Sequence, residues 1–138
     1  VLGTEVPMEW APQPVAPGKL RSQIIWSGKQ GMGARIASAL LAFQHARYEV
    51  TEDPSSGHEG ERFAATPDLG LFRATIGPHG DVMVHEERLR SLIVQSTATG
   101  ESVAEDIRRL IGQPWDEELE VFRMAHEDAK IRVLHHVS

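Results

Sequence analysis

An α+β domain, with a mostly antiparallel sheet and helices packed on one face, is the architecture this chain predicts. Three observations carry that expectation. Segments such as "EVPMEW" and "RYEVTED" alternate apolar with polar residues, the period of a half-buried strand. Others, such as "MGARIASALLAFQHA", repeat apolar residues every three or four positions, the period of an amphipathic helix. Short punctuations rich in Gly, Pro and Ser separate them, which suits hairpins and close helix packing around one core. A ferredoxin-like ordering fits this alternation.

Taken in order, Val6, Met8 and Trp10 fall on one side of a first strand over Glu5–Trp10, with Pro7 favouring a sheet edge because it lacks a ladder donor. The three prolines of "APQPVAPG" make an extended connector. A second strand in "KLRSQIIWSG" turns Leu20, Ser22, Ile24 and Trp26 to one side. Met32, Ile36, Leu40 and Phe43 then predict a helix over about 32–44. Tyr48 and Val50 restore strand alternation, "PSSGHEG" turns the chain, and strands follow in "ERFAAT", "LGLFRATI" and "DVMV". "GPHG" is suited to the hairpin between the last two.

A further helix begins near Glu86, with Leu89, Leu92, Ile93 and Ser96 along one side, and "TATGES" interrupts it. Ser102 and Glu105 have the spacing of a capping box. Val103, Ile107 and Leu110 form the stripe of the next helix, which Gly112 is placed to end. Pro114 suits a first helical position, the acids Asp116, Glu117 and Glu118 complement a helix start, and Trp115, Leu119 and Phe122 form its apolar side. "KIRVLHHV" reads as a last strand rejoining the sheet.

The chain has 138 residues, of which 41% are hydrophobic and 25% charged, enough for one cooperative core and too few for two. A formal charge of −6 disfavours broad attraction to nucleic acid or an acidic membrane. No apolar run reaches the roughly 20 residues that cross a bilayer, and no secretion signal is evident, so the cytoplasm is the expected location. The absence of cysteine excludes disulfides, thiol nucleophiles and thiolate-held metals within this chain.

Several side chains invite a chemical reading. His79, Asp81 and His85, with Glu86 or His135, offer nitrogen and oxygen ligands, yet lack the helical "HExxH" spacing, so turn and helix-start roles are expected and no metal is assigned. The same three residues are the candidates for acid/base catalysis. His135 and His136 would point to opposite faces of a regular strand. Lys29 and Arg35 flank the glycine-rich "SGKQGMGARIA", a strand-to-helix junction whose amides suit a small anion, although it matches neither a phosphate loop nor "GxGxxG". Trp10 and Trp26 are ligand-binding candidates whose competing role is core packing. Ser102 has a cap role, and no "GxSxG" elbow is present. No cofactor is expected.

The ordered series "LGTEVPMEWAPQPVAPG", "ARIASALLAF", "YEVTEDPS", "GERFAATPDLGLFRATIGPHGDVMV" and "GQPWDEELEVFR" resembles an actinobacterial family classed as domain of unknown function 3145. The resemblance spans most of the chain. It implies an intracellular actinobacterial protein and a preceding strand and helix of roughly 25 residues, so the single domain over 1–138 is expected to be N-terminally incomplete, with a sheet edge left exposed. It transfers no reaction or catalytic residue. The reading is therefore of a noncatalytic protein acting by protein interaction or small-ligand binding, with a homodimer, another protein or a small anionic ligand as partner. The alternative is a small hydrolase or lyase using a histidine/carboxylate site, with or without a metal, and enzyme status stays open.

Overall fold

The computed structural model describes residues 10–12 and 20–124. A short antiparallel pair, β1 (Ala11–Pro12) and β2 (Leu20–Arg21), precedes helix α1 (Met32–Leu40). Four strands follow: β3 (Tyr48–Glu52), β4 (Gly60–Thr66), β5 (Gly70–Ile76) and β6 (Val82–Met83). Three helices complete the described chain: α2 (Glu86–Thr99), α3 (Val103–Leu110) and α4 (Gln113–Met124). The α+β class is thus observed. The sheet is an antiparallel meander in the order β3-β4-β5-β6, and no ferredoxin-like crossover joins its strands among the described residues.

Helices cover both faces of this sheet, which corrects the expectation of a single covered face. In β4, Phe63 packs with Trp26, Ala37 and Val50 beside α1, whereas Ala64 packs with Phe72, Ala74, Trp115 and Leu119 of the α4 side. Adjacent residues of a strand point to opposite faces, so α1 and α4 sandwich β4 between them. The run Phe63–Thr66 is accordingly buried without interruption. That continuous burial is the mark of a strand covered twice; the small Ala64 and Ala65 disguise it in sequence as an ordinary alternating strand.

Other boundaries differ for local reasons. Regular pairing in the second predicted strand stops at Arg21, and Trp26 is buried by packing near α1 rather than by a ladder. Trp10, expected to face inward, is 56% exposed. Helix α1 ends at Leu40 and gives way to turns, which leaves Phe43 outside the buried stripe. The "GPHG" hairpin forms as expected, closed by the Gly77 amide donating to the Asp81 carbonyl at 2.9 Å. Residues 5–9 of the first predicted strand and the whole of "KIRVLHHV" lie outside the described residues.

The serine half of the predicted capping box is realised. Ser102 Oγ accepts from the Glu105 amide at 3.4 Å and starts α3. Ser102→Ala is expected to cost about 1 kcal/mol or slightly less at this length, measured as a shift in urea midpoint at constant slope. Gly112 follows α3 at a φ of 85°, and a Cβ there would lie 2.7 Å from the Phe72 ring. This one glycine therefore both turns the chain and lets α4 approach β5. Among the described residues no helix is long and apolar enough to cross a membrane.

Candidate functional site

The glycine-rich junction before α1 was the first candidate for holding an anion, and the fold supplies one of its own. Glu52, at the end of β3 and 4% exposed, accepts the Gly33 amide at 2.7 Å and the Gly31 amide at 3.1 Å. These are first-turn donors with no helical partner, and a carboxylate is the charge that a helix start attracts. A Cβ on Gly33 would come within 3.0 Å of Glu52, so the glycine gives the carboxylate its close approach. Lys29 and Arg35 are exposed around this junction, with Arg35 on a shallow surface beside Ala34, Ser38 and Ala39.

A second polar cluster fastens α4 to the sheet. Glu49 of β3 accepts Arg123 Nε at 2.8 Å and also pairs with its Nη2; Arg62 of β4 contacts Glu49 at 3.3 Å and pairs with Asp116. Arg123 further reaches Asp116 at 3.2 Å and Glu120 at 2.9 Å. The Glu49 hydrogen bond pushes the Arg123 guanidinium above its ordinary range, with burial opposing it and the Glu49 charge reinforcing it. Each charge here has a partner, so the cluster positions a helix and leaves no free group for a substrate.

The open polar feature lies where β5 outruns β6. Met83 pairs with Thr75 and Val82 with Ile76; the chain then leaves the sheet through Val84 and His85 into α2. The gap is a cleft of about 150 Å³ lined by Glu61, Arg73, Thr75, His85, Arg88 and Leu110, among others. Glu61 Oε2 accepts Arg73 Nε at 2.7 Å and lies 2.6 Å from Nη2 in the same ion pair, while the guanidinium lies 5.4 Å over the Phe63 ring. Arg73 is thus oriented from two sides with further N–H donors to spare. Arg88 makes no ion pair or hydrogen bond through its side chain among the described residues.

Of the histidine, aspartate, lysine, arginine and tryptophan candidates taken from the sequence, His85 alone lines this cleft. It occupies the extended position before α2, where no side chain caps the helix. His79 and Asp81 are exposed in the β5–β6 hairpin. Trp26 is in the core and Trp10 is exposed. No group of three or more His, Asp or Glu side chains suited to a metal ion occurs among the described residues, and His135 lies outside them.

A family model described as protein of unknown function (DUF3145) matches residues 1–136, nearly the whole chain. The chain belongs to the DUF3145 family. No curated protein and no solved structure matches it. In this DUF3145 protein, Arg73 and Arg88 are cleft residues that no local sequence pattern marks, and Glu52 and Glu61 are two of many acids whose roles depend on distant partners. The Glu61–Arg73 pair did leave a signal: with the β4–β5 turn centred on Asp68, Glu61 lies opposite Thr75 and diagonal to Arg73 on the same face.

Proposed function

We propose that this is a single-domain, noncatalytic cytoplasmic protein that acts through a protein interface, with a second copy of the chain as its partner. One observation carries this reading. Among the described residues Ser96 is the only buried residue in α2 and α3, although both helices have apolar stripes. Leu89, Val103, Ile107 and Ile111 are each more than a third exposed, Ile93 is 55% exposed and Val94 68%. Two helices side by side form a layer that still needs something against it.

Charge does not oppose a second copy at these helices. Residues 86–110 carry five acidic and four basic side chains, so two such faces meet near neutrality although each whole chain carries −6. An isologous pairing of α2 and α3 with their symmetry mates would make a four-helix layer and bury the stripe twice over. Sedimentation equilibrium is expected to give twice the chain mass. Ile93→Glu should yield a monomer with an unchanged far-ultraviolet spectrum. A native chain that stays monomeric at the highest attainable concentration, or an undisturbed dimer in the variant, overturns the reading.

The hydrolase or lyase alternative needs a carboxylate free to exchange protons beside a histidine. Glu61, which shares the cleft with His85, is instead held by Arg73, an arrangement that favours binding over chemistry.

A further inference from the structure

We infer that the cleft between β5 and the start of α2 is a binding site for a small oxyanion, the phosphate or carboxylate group of a compact metabolite. This inference is independent of self-association through α2 and α3. It rests on three features that converge on one cavity of about 150 Å³.

The first is a pre-oriented cation. Arg73 is held on one edge by a single oxygen of Glu61 and on its face by Phe63, so its remaining N–H donors are presented without the loss of side-chain freedom that an untethered arginine would suffer. The second is Arg88, a lining residue whose guanidinium has no partner among the described residues. One carboxylate, Glu61, is set against these two arginines, leaving the lining with an excess of positive charge. Glu86 and Glu87, at the start of α2, stand outside the lining and both pair with Arg90, which offsets one of their two charges. The third is a pair of directional donors. Thr75 adds a hydroxyl and His85 an imidazole, both able to donate to an anion's oxygens, while Leu110 gives one wall an apolar surface for the carbon portion of a ligand.

An oxyanion between Arg73 and Arg88 would gain charge-assisted hydrogen bonds from two sides, the arrangement in which arginine outperforms lysine. The glycine-rich junction of α1 offers no equivalent, because Glu52 already takes its amides.

Titration of ¹⁵N-labelled full chain with inorganic phosphate and, separately, with succinate tests the site and separates the two chemistries. Saturable amide shifts at Arg73, Thr75 and Val84–Arg88 are expected with at least one probe, and the stronger probe identifies the group recognised. Arg88→Ala, a change at an exposed side chain, should weaken that binding about tenfold, the loss of one charge-assisted hydrogen bond. Arg35→Ala should leave it unaltered. No saturation with either probe, an Arg88→Ala titration equal to the native one, or shifts centred on residues 29–35 overturns the assignment.

Discussion

Trp115→Ala is expected to destabilise the fold by about 4 kcal/mol, the upper range for truncating a buried aromatic. The indole fills the core between α4 and the sheet, packing with Ala64, Ala74 and Leu119, with its ring centroid 5.1 Å from that of Phe72. It also donates its N–H to the Gly70 carbonyl at 3.0 Å, tying α4 to the first residue of β5. Alanine removes the ring and leaves that carbonyl without its partner. Trp115→Phe keeps most of the packing and should cost about 1.5 kcal/mol, which separates the hydrogen bond and residual volume from the bulk of the ring. Urea unfolding monitored by circular dichroism reads both. A loss below about 1 kcal/mol for the alanine variant would show that the Glu49–Arg123 cluster, rather than apolar burial, docks α4.

Glu52→Ala is expected to cost about 3 kcal/mol. Two hydrogen bonds to a charged acceptor are lost, each worth about 1.5–3 kcal/mol, and the total is discounted because the Gly31 amide is only partly buried and recovers water. The Gly33 amide is buried and does not. Glu52→Gln retains an acceptor oxygen without the charge, so roughly half the loss is expected. Lys29→Ala, at an exposed side chain of the same junction, should stay within about 0.5 kcal/mol of native. Faster hydrogen exchange at Gly31 and Gly33 in the alanine variant, ahead of the rest of α1, would locate the effect at the helix start. Equal losses in the Lys29 and Glu52 variants would remove the special role assigned to the carboxylate.

Much of the local structure was legible because local rules govern it. The stripe at Met32, Ile36 and Leu40, the Ser102 cap, the Gly112 turn and the "GPHG" hairpin each follow from residues within a few positions of one another. The failures share the opposite property. Trp10 and Phe43 had the right phase for burial, but phase says where a side chain points and not whether anything lies there. Leu89 and Ile93 kept their helical spacing while remaining more than a third exposed. Spacing of that kind is compatible with a core and with an unmet interface alike.

The candidate site was less legible for a related reason. His85 is a chemically versatile side chain, yet its neighbours in the cleft come from β4, β5, β6, α2 and α3. Lys29 and Arg35 were reasonable partners for an anion at a glycine-rich helix start. Glu52, which takes that position, stands 21 residues from Gly31, and nothing near it in sequence marks it as different from the other acids.

By itself, the sequence determined the class of fold, the order of helices and strands in the described core, and several of the places where the chain turns. Periodicity and backbone conformational preference act over a few residues and so survive translation into one dimension. Only the tertiary structure decided that β4 is covered on both faces, that Glu52 rather than a ligand satisfies α1, and that Arg123 meets Glu49 across 74 positions. Those outcomes depend on strand register and on which layers pack together, and each is settled by the combined burial of distant segments rather than by any one of them.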